Sequence, residues 1–221
     1  MIHVYGTSHV SNESIELINE KVRQHEPDII ALELDPRRLQ ALLTDEDQSS
    51  GSIFLDLLKK FQQHIGKKTG VMPGEEMKHG YMKAGEIDAD VALIDQNIEV
   101  TFSRLKQVKR KEKVKAGLSL IFGGLATSKF DFSEIPEDGQ IGKILEETKD
   151  KFPEIYNVLV AERDSYMAAS LQQLQLDNPE AEIVAFVGAG HKESVRSLLE
   201  QNRTQRSIMD FNAGKADESS S

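Results

Sequence analysis

No cysteine occurs among the 221 residues. Disulfides, thiolate metal ligands and a cysteine nucleophile are thereby excluded. Tryptophan is absent as well. Basic residues are outnumbered, 27 Lys and Arg against 37 Asp and Glu, and the net charge of -10 repels phosphate backbones. Nucleic acid is therefore not an expected partner. Long hydrophobic runs are missing too. No window reaches the roughly 18 apolar residues of a membrane span. The opening MIHVYGTSHV has neither the basic leader nor the apolar run of a secretory signal. A cytoplasmic location is the expectation.

What is present suits one domain with some exposed helix: 38% hydrophobic and 29% charged residues. Ile2 to Tyr5 is a short β-prone run that stops at Gly6. A helix is predicted over about Ser14 to His25, where Ile15, Leu17, Ile18 and Val22 form an apolar stripe. DIIALEL, Asp28 to Leu34, reads as a strand covered on both faces. Strand, helix, strand is the βαβ pattern of a parallel sheet. Helices follow at Pro36 to Leu43, Ile53 to Ile65 and Glu75 to Glu86. DVALI, Asp90 to Ile94, is a third strand, and AEIVAFV, Ala181 to Val187, the clearest late one. Ser207 to Phe211 reads as a last strand. The expected fold is α/β, a mostly parallel or mixed central sheet flanked by helices.

Residues 109–140 break this rhythm and are read as a helical insertion in the middle of one domain spanning 1–211; residues 212–221 form a polar tail expected to be disordered. The basic run Lys106 to Lys115 precedes the apolar GLSLIFGGLA. Together they resemble a weak membrane-surface element, but without the Trp or Tyr of an interface. A solvated helix is the preferred reading. The helical excess and the insertion leave room for a homodimer.

Two segments match each other. GTSH, Gly6 to His9, and GAGH, Gly188 to His191, both read Gly-x-x-His, and both directly follow a predicted strand. In open α/β sheets, ligands bind just beyond the carboxyl ends of the strands. Parallel strands would carry both histidines to that edge, where glycine lets the backbone approach a ligand. Acids occupy equivalent points: Glu33 and Asp35 end the second strand and Asp95 the third. Imidazole with carboxylate suits Zn, Mn, Fe or Co, and suits metal-free acid/base work equally well. Glu33, inside an apolar run, needs a partner, and Arg37 or Arg163 could supply it. Glu75 and Glu76 open a helix, where the dipole alone explains acids. Arg104 and Arg163 could clamp a substrate carboxylate or hold the site acids. His3, His25, His64 and His79 have no strand-end context and are read as surface residues.

GTSHVS (Gly6 to Ser11), ELDPRR (Glu33 to Arg38), PGEEM (Pro73 to Met77), ALIDQNIEVTFSR (Ala92 to Arg104), ERDSYM (Glu162 to Met167) and VGAGH (Val187 to His191) stand in this order. In these motifs the chain resembles the TraB/PrgY family, within the group that includes GumN and the TIKI metalloproteases. The resemblance implies an α/β fold related to ChaN-like and erythromycin-esterase-like domains. It implies a site of two Gly-x-x-His motifs, His9 and His191, with Glu33 as the matching glutamate. TIKI proteins are described as Mn- or Co-dependent peptidases, and TraB and PrgY are associated with shutdown of peptide pheromones. Many relatives carry C-terminal membrane helices. Here a polar tail stands instead, so the expectation is a version without them or one whose helices lie beyond this sequence. Gln96 stands where relatives often have arginine.

The leading expectation is a metal-dependent hydrolase acting on peptides. His9, Glu33 and His191 are the candidate ligands of a divalent ion (Mn, Co or Zn). Glu162 and Arg163 join them as candidate catalytic or supporting residues. Gly6, Ser8, Arg37, Glu76, Asp95, Arg104 and Gly188 are candidates for substrate contact. Two alternatives stay open: a non-catalytic protein that binds a peptide or small molecule, and a metal-free esterase using histidine as base.

Overall fold

Four short aliphatic runs form a parallel sheet in the order β1-β4-β2-β3. The strands are β1 (Ile2–Thr7), β2 (Ile29–Leu32), β3 (Asp90–Leu93) and β4 (Ile183–Gly188). The structure, a computed structural model, describes residues 1–7, 12–44, 74–116 and 138–218. All four strands lie where the sequence predicts them. β4, last in the chain, enters the middle of the sheet and pairs with both β1 and β2. This is why β4 is buried at every position while β1, at one edge, is half-buried along most of its length.

The helices are α1 (Asn12–His25), α2 (Pro36–Thr44), α3 (Glu75–Glu86), α4 (Ile98–Gln107), α5 (Asp138–Lys151), α6 (Pro153–Tyr156), α7 (Glu162–Asp177) and α8 (Ala189–Glu218). A short helical stretch also covers 110–116. Side chains alternate across the pleat, so each strand feeds two cores. Ile29, Ala31, Ile183, Ala185 and Val187 face Met167, Ala168 and Leu171 of α7 and Val195 of α8. Ile30, Leu32, Val184 and Phe186 face Ile18 and Val22 of α1 and Met77 and Ala84 of α3. The result is three layers, helix, sheet, helix. A third apolar cluster, Leu105, Val108, Ala116, Ile155 and Val158, joins α4, the 110–116 stretch and the helix at α6.

Two close approaches need glycine. A Cβ on Gly80 of α3 would lie 2.9 Å from Leu32 Cδ2, so α3 presses tightly on β2. A Cβ on Gly6 would lie 3.1 Å from the Ala189 Cα and 3.0 Å from Lys192 Cδ. Gly6 therefore lets the first turn of α8 lie against β1.

The late strand expected at Ser207 to Phe211 is not formed, because α8 runs unbroken to Glu218. No glycine or proline interrupts 192–213, and a short apolar cluster such as Ile208, Met209 and Phe211 fits either periodicity. Of the expected insertion, 117–137 lie outside the described residues, as does the helix expected at Ile53 to Ile65. Among the described residues no helix is long and apolar enough to cross a membrane.

Candidate active site at the carboxyl edge of the sheet

Three strands deliver their next residues to one place. Glu33 directly follows β2, Asp95 stands two residues past β3, and His191 sits in the first turn of α8 after β4. Backbone pairing continues beyond the strand ends and holds these residues in register. Glu33 N–H donates to Phe186 O at 3.1 Å, and Asp95 N–H to Leu34 O at 3.2 Å. Glu33 continues the alternation of Ile29 and Ala31, so it faces the α7–α8 layer. His9 and Ser8, the part of the expected site that follows β1, lie outside the described residues.

Arg163 of α7 closes the gap between the two acids. Its Nε and Nη2 form a two-pronged pair with Asp95 at 3.0 and 2.7 Å, and Nη2 also bonds Glu33 Oε1. Its Nη1 donates to Leu159 O at 3.2 Å, inside the π-helical turn Asn157–Ala161 that precedes α7. Such a turn rotates the following residues relative to a plain α-helix and recurs at functional sites. Both acids are 2% exposed at the side chain and Arg163 15%, so these are charges in a dry environment. Burial alone would pull the Arg163 guanidinium down, but the carboxylates of Glu33 and Asp95 outweigh it and hold it above the ordinary arginine range. Arg38 adds a second guanidinium to Asp95, with Nη1 2.6 Å from Oδ2.

Glu33 has a further anchor. Its Oε2 accepts from the Gly188 N–H at 2.5 Å, at the junction where β4 becomes α8 without a loop. A carboxylate at a helix N-terminus meets both a free N–H and the positive end of the helix dipole. Gly188 thus serves the site through its backbone.

His191 is held from both sides. Its Nδ1 lies 2.5 Å from Asp164 Oδ1, and its Nε2 lies 3.3 Å from Arg163 Nη1 and 3.6 Å from Glu33 Oε1. A carboxylate cannot donate when ionised, so Nδ1 carries the proton and points it at Asp164. A guanidinium cannot accept, so the Nε2 lone pair faces Arg163 and Glu33. This tautomer leaves Nε2 able to take a proton or a metal ion. Asp164 is 1% exposed, and its Oδ2 is buried without a hydrogen-bond partner. Burial first, and the Asp164 charge second, push the Tyr156 phenol up, so this ring belongs to the same neighbourhood.

Other expected site residues divide. Glu33, Asp95, Arg163, Gly188 and His191 are brought together, and Arg163 rather than Arg37 is the partner of Glu33. Arg37 turns outward to Glu99. Arg104 and Glu162 pair with each other at 2.7 Å on the surface, with Asn157 Nδ2 on the same Glu162 oxygen. Glu162 is thus not joined to the buried network by any hydrogen bond among the described residues. Glu76 is buried, and its Oε2 accepts from Gly74 N–H at 3.1 Å, a local bond at the start of α3. Gln96 gives its side-chain amide to Thr101 at 3.2 Å, while Arg38 and Arg163 supply the charge on Asp95. His3, His25 and His79 are not free surface residues: each is half-buried with a named polar neighbour.

Two residues escaped the sequence reading. Asp164 had a readable signal, since it lies three, four and seven residues before Met167, Ala168 and Leu171 and so sits on the buried stripe of α7. Arg38 had none, because either arginine of the Arg37–Arg38 pair could have turned inward.

A sequence model of the TraB/PrgY/gumN family matches residues 1–207. The chain belongs to the TraB/PrgY/gumN family. It is 34% identical to an uncharacterized protein of Methanocaldococcus jannaschii, over 90% of this chain and 53% of that protein. It is 27% identical to a TraB domain-containing protein of Bos taurus, over 86% of this chain and 60% of that one. Identity to the Homo sapiens TraB domain-containing protein is 26%, over 94% of this chain and 65% of that one. The chain thus spans about half to two thirds of the length of these relatives.

Proposed function

We propose that this chain is a metal-dependent hydrolase of peptides, with its site at the carboxyl edge of the sheet. The observation that carries the reading is the pairing of His191 Nδ1 with Asp164 at 2.5 Å, which leaves Nε2 facing Glu33 at 3.6 Å. A carboxylate–histidine pair of this kind orients metal-ligating imidazoles. Two donors of one tetrahedral ion at 2.0–2.2 Å bond lengths stand about 3.4 Å apart, close to the separation here. The donor set therefore fits a divalent ion held by His191 Nε2 and Glu33, with His9 as the third candidate. When bound, such an ion lowers the pKa of its water and polarises a carbonyl.

The chain's own groups have separable tasks. Asp164 fixes the His191 tautomer and would steady an imidazolium. Arg163 and Arg38 hold Asp95, and Arg163 sets the Glu33 carboxylate. Arg163 is in this sense a positioning residue. Peptides are the substrate class because the family resemblance points to them, pheromone-like peptides included.

One observation favours a second reading, metal-free hydrolysis with His191 as base. The Arg163 guanidinium bonds Glu33 Oε1 and stands 3.3 Å from His191 Nε2, so it already neutralises the pair a cation would use. A peptide pool incubated with the protein, with added Mn²⁺ or with a chelator, separates the two. Trimmed products that vanish on chelation support the metal enzyme. Cleavage indifferent to chelation supports the metal-free one. Peptide bound but never cut overturns both.

A further inference from the structure

At the opposite, amino edge of the sheet, His3 of β1, the last residue of α1, His25, and Glu182 just before β4 converge. Glu182 Oε1 lies 2.7 Å from His3 Nε2 and 3.2 Å from His25 Nδ1. Three donor atoms, one from each residue, all lie within 4.8 Å of one another, and among the described residues this is the one such group of His, Asp or Glu. We propose that His3, His25 and Glu182 form a divalent transition-metal site of the zinc class, separate from the candidate active site.

Three observations carry it. First, the His3 Nε2 contact is close but lies off the direction of a hydrogen bond, so this buried nitrogen has no hydrogen-bond partner. A buried polar atom in that state costs free energy unless something else satisfies it, and a shared ion does so. Second, the far side of His25 is set for ligation. Its Nε2 lies 2.6 Å from the Tyr5 hydroxyl, which can accept the Nε2 proton and leave the Nδ1 lone pair toward Glu182. The His3 and His25 rings pack face to tilted face with centroids 4.0 Å apart, which restrains both. Third, the carboxylate is positioned. Glu182 N–H donates to Asp28 Oδ2 at 2.7 Å. The Met1 amino group stands 3.6 Å from the other oxygen, Oε2, which leaves Oε1 to the imidazoles. Two imidazoles and one carboxylate with an open fourth position are a zinc-type donor set, and an ion between them would part His3 Nε2 and Glu182 Oε1 from 2.7 Å to the roughly 3.4 Å of two donors on one tetrahedral ion. His3 and Glu182 are 26% and 30% exposed, so an ion can enter from solvent.

The test is a Co²⁺ titration of the whole chain, followed by visible absorption and by equilibrium dialysis. It compares wild type, His191→Ala, Glu182→Gln and His3→Ala, each checked for folding by its melting curve. The proposal expects a Co²⁺ ion with imidazole-type bands that persists in His191→Ala. Glu182→Gln, which keeps the side-chain shape, weakens it roughly 10–100-fold, and His3→Ala does the same or more. Co²⁺ uptake unchanged in both Glu182→Gln and His3→Ala overturns the proposal. So does uptake that disappears in His191→Ala alone. The second result would place the ion at the other edge, so failure of this site and failure of the proposed function are told apart.

Discussion

Asp164 Oδ1 lies 2.5 Å from His191 Nδ1, across the seam where α7 meets the first turn of α8. This contact decides which imidazole nitrogen is free. Asp164→Asn would present an amide that can donate as well as accept, and the preference for an Nδ1 proton would weaken. Imidazole ¹⁵N spectra should show wild-type His191 protonated at Nδ1 and the variant mixed. Metal affinity or turnover should fall roughly 10–100-fold with the fold intact.

The Arg163 network makes a stability prediction. Arg163→Met leaves Glu33 and Asp95, each 2% exposed at the side chain, without their shared cation. Removing one partner of a buried ion set costs about 3–5 kcal/mol. Urea unfolding should report a loss of that size. Arg163→Lys should recover only part of it, because an ammonium cannot reproduce the fork on Asp95.

Gly6→Val tests why glycine stands near the end of the first strand. The added carbons would meet the Ala189 Cα, a backbone atom 3.1 Å from the Cβ position, and the Lys192 stem. Overpacking of this kind costs about 1–3 kcal/mol. The strain falls on the turn that carries Gly188 and His191, so turnover should drop along with the melting temperature. A more stable or unchanged variant would show that α8 is free to move away.

His79 gives a pH signature. Burial lowers its pKa from 6.5, outweighing the upward pull of Glu86. The folded chain therefore binds this proton more weakly than the unfolded chain does. Above pH 6.5 both states are neutral and nothing is lost. As pH falls below about 6.5 the unfolded chain takes up the proton first, and stability declines until the folded pKa is passed. The Cε1–H resonance of His79 should titrate below pH 6.5, and His79→Gln, which can still meet Asn19, should flatten this part of the stability curve.

The sheet was legible because its strands are aliphatic runs ended by glycine, aspartate or glutamate. The convergence of Glu33, Asp95 and His191 followed from parallel topology alone. Strand order was not legible: nothing in AEIVAFV says that it inserts between β1 and β2 rather than adding at an edge. Side-chain choice was legible where periodicity constrained it, as at Asp164, and silent where two like residues adjoin, as at Arg37 and Arg38. The histidine cluster with Glu182 was invisible because its members are 22 and 157 residues apart in sequence, His3 to His25 and His25 to Glu182, and meet only at the amino ends of β1 and β4. The segment read as a last strand failed because a short apolar cluster does not separate strand from helix.

The most direct measurement is mass spectrometry of a defined peptide pool after incubation with Mn²⁺ and either wild-type protein or His191→Gln, matched for folding. The account predicts shortened peptides with wild type and none above background with the variant. Equal cleavage by both, or intact peptides with both, would contradict it.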